Sequence, residues 1–77
     1  MHDQIKTVVA NVLGIPRGSI TDDASVDTIE SWDSLRQIRL LMALEEKFQV
    51  TFGDDEITKL TSLPAIMQAI EQHKNGF

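Results

Sequence analysis

The stretch SLRQIRLLMALEEKF, residues 34–48, is the longest helical pattern in the chain and decides its fold. Its apolar residues recur every three or four positions, which is the period of an α-helix and not of a strand. One predicted face carries Leu35, Ile38, Leu41, Met42 and Phe48, and Leu40 and Leu44 widen it. Asp33 is the expected N-cap, because its carboxylate can accept hydrogen bonds from free amides of the first turn. The broad apolar face places this helix at the centre of the fold.

Three further helical patterns flank the central one. The first covers about residues 3–13, with a one-sided apolar stripe at helical spacing. A short helix is predicted at residues 55–60, capped by Asp54, and a last one at residues 63–74, capped by Ser62. The residues predicted to line the interior between these helices are Leu41, Met42, Leu44, Ile57, Ile66 and Ile70.

A long segment without regular period separates the first two helices. Gly14 is well placed to end the first helix, and Pro16 prevents its continuation. The apolar residues expected to anchor this loop to the core are Ile15, Ile20, Val26, Ile29 and Trp32, and the acids expected to stay in solvent are Asp22, Asp23, Asp27 and Glu30. The predicted fold class is all-α, a small four-helix bundle of three long helices and one short helix, with a long loop after the first.

Composition narrows the classes of function. The 77 residues suit one domain spanning 1–77, and the net charge of −5 disfavours nucleic-acid binding. No apolar run is long enough to cross a bilayer, and the first residues lack a signal-peptide pattern, so a cytoplasmic protein without membrane contact is expected. A monomer is the expected form.

No catalytic or metal-binding constellation is recognisable in the sequence. There is no cysteine, and His2 and His73 lie near opposite ends of the chain, far in sequence from any candidate nucleophile. Paired acids such as Asp54-Asp55 are explained by helix capping and solvation. The expectation is a protein that is not an enzyme, with no catalytic residues and no metal site.

Ser34 is the most promising position for chemistry. It follows the cap candidate Asp33 at the start of the longest helix, where free amides and the partial positive charge of the helix favour a phosphate ester. A helix start alone also explains this pair, because serine and aspartate are both common there. The local pattern therefore leaves the function of Ser34 open.

The wider sequence resembles the acyl carrier protein family. The resemblance rests on residues 32–35, Trp-Asp-Ser-Leu, and residues 42–48, MALEEKF, together with the long loop before the serine. Residues 20–25 in that loop and residues 61–63 at the last helix add to it. The Asp-Ser-Leu triplet alone is weakly specific, whereas the combination covers nearly the whole chain, from about Ile5 to Ile70.

The resemblance implies a prosthetic group and a set of partners. Ser34 would take 4′-phosphopantetheine from coenzyme A through a separate phosphopantetheinyl transferase, with Asp33 and Leu35 as flanking recognition elements. The thiol of the arm would hold an acyl group as a thioester and present it to acyl-loading and acyl-processing enzymes of fatty-acid, polyketide or specialised acyl biosynthesis. The absence of cysteine agrees, because thioester chemistry here needs a borrowed thiol.

The central helix also departs from the family pattern. Arg36 and Arg39 stand where fatty-acid carriers often have acids, and Glu45 and Glu46 keep the negative character further along. These four residues are the candidates for partner recognition, and the two arginines, with Trp32 in place of a small residue, favour a specialised pathway. A mixed, solvated helix face explains the same charges without any partner.

Two other readings of the sequence remain open. One keeps the arm and changes the cargo, giving an aminoacyl or peptidyl carrier of a nonribosomal pathway. The other is an unmodified acidic helical adaptor that binds partners through Asp22, Asp23 and its helix faces. Modification of Ser34 separates the adaptor from both carriers.

Overall fold

The computed structural model describes residues 2–75 and contains four α-helices. Helix α1 spans His2–Leu13, α2 Ser34–Phe48, α3 Asp54–Ile57 and α4 Leu63–Asn75, and a 3₁₀ turn at Arg17–Ser19 lies in the first loop. Residues 2–75 form no strand; Ser25 and Ser62 make an isolated antiparallel bridge. The predicted all-α bundle of three long helices and one short helix is confirmed.

The core is apolar and is built mainly from the three long helices. Helix α1 packs against α2, α4 and the 3₁₀ turn. Among the described residues, no polar or charged residue is fully buried. The largest completely buried side chains are Ile5, Val9, Leu13, Leu40, Leu44, Leu63, Ile66 and Ile70. Burial of each such side chain stabilises the fold by about 1.5–3 kcal/mol, so these residues hold the bundle together.

Local signals set the predicted C-terminal end of α1 and the predicted start of α4. Gly14 adopts a left-handed backbone with φ 69°, and the Ile15 N–H donates to the Ala10 carbonyl at 3.1 Å, which closes the end of α1. Ser62 caps α4, because its Oγ accepts a hydrogen bond from the Ala65 N–H at 3.3 Å. Both predicted boundaries are therefore confirmed.

The long loop is anchored largely as predicted. Ile20 and Trp32 are buried, and Ile15 and Ile29 are partly buried against the core. Val26 is the exception, at 37 % exposure. Its backbone N–H donates instead to the Thr61 carbonyl at 3.0 Å, so the backbone and not the side chain fixes this part of the loop.

The predicted orientation of α2 is partly wrong. Leu40, Leu41, Leu44 and Phe48 are buried, as expected of the core face. Leu35, Ile38 and Met42 point away from the core, with exposures of 59 %, 59 % and 63 %. The helix carries two apolar stripes, each at helical spacing, and spacing alone does not show which of them faces the bundle.

Helix α3 is shorter than predicted. It is one turn, Asp54–Ile57, capped by Gly53 and not by Asp54. The Glu56 Oε1 accepts a hydrogen bond from the Gly53 N–H at 2.9 Å, which fixes the start of the turn. Ile57, predicted to line the interior, is 37 % exposed, and the chain turns after it so that Leu60 enters the core.

Candidate functional site

The start of α2 leaves the Ser34 side chain in solvent. Asp33 has an extended backbone and is the N-cap; its Oδ1 accepts a hydrogen bond from the Arg36 N–H at 2.9 Å. Ser34 is the first helical residue and is exposed. Because the aspartate provides the capping oxygen, the serine hydroxyl is not used to close the helix end. The predicted N-cap at Asp33 is confirmed.

The other serines differ from Ser34 in their surroundings. The chain has five serines, at positions 19, 25, 31, 34 and 62. Ser25 Oγ accepts a hydrogen bond from the Asp27 N–H at 3.2 Å, Ser62 Oγ caps α4, and Ser31 Oγ is buried. Ser34 and Ser19 are the exposed serines, and Ser34 alone lies at the start of a long helix. Accessibility therefore leaves two serines for modification by an enzyme.

Two successive hydrogen bonds fix the loop that leads to Ser34. Trp32 is buried, at 3 % exposure, and its Nε1 donates to Gln37 Oε1 at 2.5 Å. Gln37 Nε2 in turn donates to the Leu60 carbonyl at 2.6 Å. These two bonds connect the end of the loop to α2 and to the segment before α4. Packing of Trp32 was expected from the sequence, whereas the polar side chain of Gln37 gave no signal of its own.

An exposed apolar stripe runs along α2 from the residue that follows Ser34. It consists of Leu35, Ile38 and Met42, which lie at helical spacing on one side of the helix. Scattered exposed apolar residues are ordinary, but three aligned on one helix form a continuous surface. Leu35, predicted to flank the serine as a recognition element, belongs to this stripe.

The four charged candidates for partner recognition occupy different environments. Arg36 Nη1 lies 3.4 Å from Asp33 Oδ2 and 3.4 Å from the Ser31 carbonyl, whereas Arg39 is exposed. Glu45 Oε2 accepts a hydrogen bond from the Phe52 N–H at 2.8 Å, so this half-buried carboxylate holds the segment after α2. Glu46 is exposed.

The structure separates these candidates into two groups. Arg36 and Asp33 lie together beside Ser34. Glu45 lies eleven residues after Ser34, which corresponds to roughly 16 Å along the helix axis at 1.5 Å per residue. The arginines and the glutamates are therefore not one continuous patch around the serine.

Two acidic side chains outside this region have lowered pKa values. The pKa of Asp22 falls below its ordinary value because Lys6 donates a hydrogen bond to it at 2.6 Å and adds its positive charge. The pKa of Glu56 is lowered mainly by the hydrogen bond from the Gly53 N–H, with a further contribution from His73. Both groups link elements of the bundle, and neither borders Ser34.

Both histidines make side-chain contacts with glutamates. His2 pairs with Glu71, and His73 Nε2 lies 2.9 Å from Glu56 Oε2. The His73 ring also meets Phe52 edge-on, with ring centroids 5.6 Å apart. No group of three or more potential metal ligands occurs within residues 2–75.

None of the helices in the described part of the chain combines the length and apolar character needed to cross a membrane.

Comparison with protein families shows a match over most of the chain. The model of the family described as PP-binding, phosphopantetheine attachment site, matches residues 3–70. This range includes α1, the first loop, α2, α3 and most of α4. The similarity therefore extends over the bundle and is not confined to the segment around Ser34.

Proposed function

Since this chain belongs to the phosphopantetheine attachment site family, we propose that it is an acyl carrier protein whose arm is attached to Ser34. Membership of the family implies a covalently attached 4′-phosphopantetheine, a phosphopantetheinyl transferase that installs it, and enzymes that process what the arm carries. The attachment residue, the acyl cargo and the use of a thioester are parts of the proposal.

The observation that carries the proposal is the accessibility of the Ser34 hydroxyl at the start of α2. Asp33 supplies the helix cap, so Ser34 Oγ is available to attack coenzyme A. The atom attacked is the diphosphate phosphorus that carries the pantetheine. In that step a phosphodiester forms between Ser34 and phosphopantetheine, adenosine 3′,5′-bisphosphate leaves, and the serine proton passes to a base on the transferase.

The residues at the start of α2 suit a phosphodiester. The first-turn amides and the partial positive charge of the helix favour an anion there. Arg36 adds a guanidinium next to Asp33. Its Nη1 donates long hydrogen bonds of 3.4 Å to the Ser31 carbonyl and to Asp33 Oδ2. Such weak contacts leave much of the donor capacity of an arginine for an incoming phosphate.

The domain itself is proposed to catalyse no step. General-base activation of Ser34 by histidine would need an imidazole nearby, and both histidines are paired with glutamates that lie elsewhere in the bundle. On this proposal residues 1–77 act as a single carrier domain, as a monomer in the cytoplasm. All bond-making chemistry then belongs to the partners.

The partners are proposed to dock on the exposed side of α2. Leu35, Ile38 and Met42 supply an apolar surface beside the arm, and Arg36 and Arg39 add positive charge. Acidic groups on the partner would complement these arginines and speed association. Glu46 extends the surface with a negative charge, and Glu45 contributes less because it is bonded to the Phe52 backbone.

The docking surface is tested with the double variant Arg36→Ala/Arg39→Ala against Lys59→Ala, which removes an exposed charge from the segment after α3. Binding of the loading enzyme is measured at low and high salt. We expect weaker binding and a smaller salt dependence for the double variant only. Partner binding equal to that of the wild type would contradict the assignment of these arginines.

The nature of the cargo is decided by the enzyme that loads the arm. Acyl cargo is favoured by Asp33 directly before the serine, in agreement with the sequence resemblance. The loaded chain is offered to acyl-transferring and to aminoacyl-adenylating enzymes, and the thioester product is identified by mass. If only an aminoacyl thioester forms, the proposal of an acyl carrier is contradicted and an aminoacyl or peptidyl carrier is favoured.

The carrier proposal itself is tested by intact-protein mass spectrometry. The chain is incubated with coenzyme A, magnesium and a broad-specificity phosphopantetheinyl transferase, beside Ser34→Ala and the matched variant Ser19→Ala, which removes the other exposed serine. We expect the wild type and Ser19→Ala to gain one phosphopantetheinyl group and Ser34→Ala to gain none. No gain by the wild type, with its cognate transferase as well, would leave the unmodified adaptor as the better proposal.

A further inference from the structure

We propose that an open cleft beside Ser34 holds the polar part of the phosphopantetheine arm. This inference rests on the proposed attachment at Ser34. The cleft, here called the α2 cleft, has a volume of about 650 Å³ and is lined by Ile15, Ser19, Thr28, Ile29, Glu30, Ser31, Asp33 and Arg36. It lies between the first turn of α2 and the loop that precedes it.

Its position brings the α2 cleft within reach of an arm on Ser34. Asp33 immediately precedes Ser34, Arg36 follows two residues later, and both line the cleft. Adjacent Cα atoms are about 3.8 Å apart, so the arm would begin at the rim. The volume lies within the range of roughly 300–1,000 Å³ that is typical of small-molecule sites.

The lining matches the chemistry of the arm, which alternates apolar groups with a phosphate, a hydroxyl and two amides. Ile15 and Ile29 offer partly buried apolar surface. The exposed hydroxyl of Ser19 supplies a polar group for the amides, whereas the Thr28 hydroxyl is already bonded to the Ser25 backbone. Arg36 supplies a guanidinium at the rim, where the phosphate would lie.

Ser31 gives an independent indication that the cleft fits a molecule with polar groups. Its Oγ is buried and has no hydrogen-bond partner among the described residues. A buried hydroxyl without a partner costs about 1–3 kcal/mol, and such groups are rare in folded proteins. On this proposal, an amide of the arm is the partner that this hydroxyl lacks within residues 2–75.

Other surfaces of the bundle fit the polar part of the arm less well. A smaller cleft of about 360 Å³ lies between α1 and the C-terminal half of α2, and another of about 280 Å³ lies between α3 and α4. Neither contains a residue of the first turn of α2. The exposed stripe of Leu35, Ile38 and Met42 begins beside Ser34, but it is purely apolar and leaves amides without partners.

The test compares the wild-type chain before and after attachment of the arm by nuclear magnetic resonance, with complete loading verified by mass. We expect the amide signals of Thr28, Ile29 and Ser31 to shift. We also expect nuclear Overhauser contacts between the methyl groups of the arm and those of Ile29. The Ile57 methyl signals, which lie outside the cleft, should stay unchanged and serve as the internal control.

Two charge variants separate the cleft from a general surface effect. Arg36→Gln, loaded to completion, should reduce the shifts at Ile29 and Ser31 at least twofold. Arg39→Gln, an exposed arginine of the same helix outside the cleft, should leave them within error. Equal shifts in both variants would contradict the role of Arg36.

The outcomes distinguish this inference from the function on which it rests. Full loading without shifts in the cleft, or with contacts to Ile38, Met42 and Ile57 instead, would overturn the cleft and leave the carrier function intact. Absence of any mass gain would overturn both. Full loading with Overhauser contacts to Ile29 supports both.

Discussion

Helices α2 and α4 both begin with a side-chain cap, but the two caps leave their serines in opposite states. At α4 the serine is the cap: Ser62 Oγ accepts the Ala65 N–H at 3.3 Å. At α2 an aspartate is the cap, and the serine follows it as the first helical residue, exposed. One residue type therefore caps one helix and stays exposed at the start of the other.

The leucines that follow the two serines differ in burial, as the serines differ in their role. Leu63, the first residue of α4, is completely buried, and its N–H donates to the Ala24 carbonyl at 2.7 Å. Leu35, beside Ser34 in α2, is 59 % exposed. The start of α4 stabilises the bundle, whereas the start of α2 remains accessible to other molecules.

The largest expected effect comes from truncating the two leucines. Leu63→Ala should lower the free energy of unfolding by about 2–5 kcal/mol, because it leaves a cavity in the core. Leu35→Ala should change it by less than about 0.5 kcal/mol, because the side chain is mostly in solvent. Urea unfolding of both variants measures the difference. Equal losses would contradict the contrast between the two helix starts.

Removal of the caps should have similar effects on stability and different effects on loading. Asp33→Ala and Ser62→Ala should each cost about 1 kcal/mol, the usual value of a helix cap. Only Asp33→Ala should also slow the transfer of phosphopantetheine, by about 10- to 100-fold, since a hydrogen bond to a charged group is worth about 1.5–3 kcal/mol. Unfolding curves and initial loading rates measure the two effects.

The conservative variant Asp33→Asn serves as the control for the loading effect. It keeps an oxygen that can cap α2 and removes the charge. Restored stability with slow loading would assign the charge to recognition by the transferase. Loading as slow in Ser62→Ala as in Asp33→Ala would show that the rate only reports stability.

The smallest expected effect concerns the start of α3. Because its folded-state pKa is lowered, Glu56 contributes stability that is present above its ordinary pKa of 4.5 and is lost as pH falls through the lowered value. Glu56→Gln should reduce the loss of stability on acidification, measured by urea midpoints well above and well below that pH. Asp55→Asn, a neighbouring exposed acid, is the matched control. An unchanged acid dependence in Glu56→Gln would contradict the contribution of this carboxylate.

The extent of the helices followed from the sequence where a local signal was present. Asp33 and Ser62 marked two helix starts, and Gly14 marked a helix end, because capping depends on neighbouring residues alone. The start of α3 did not follow, because the glutamate that binds the Gly53 N–H competes with Asp54 as the source of the cap. The contact between Gly53 and Glu56, which lie three residues apart in the chain, decided that case.

The orientation of α2 could not be predicted from periodicity. Met42 and Leu44 both lie at helical spacing from other apolar residues, yet Met42 is 63 % exposed and Leu44 is completely buried. The packing of α2 against α1 and the rest of the core selects one stripe for burial. Of the candidate site, the cap and Ser34 came from the sequence, whereas Gln37 and the α2 cleft needed the fold.

The central claim is that the exposed serine at the start of α2, which is not the helix cap, carries the arm. Peptide mapping of the loaded wild-type chain tests this claim most directly. The loaded protein is digested and the modified peptide is fragmented, so that the phosphopantetheinyl group is assigned to one residue without any substitution. We expect the group on Ser34. A group on Ser19, or on Ser62 at the start of α4, would contradict it.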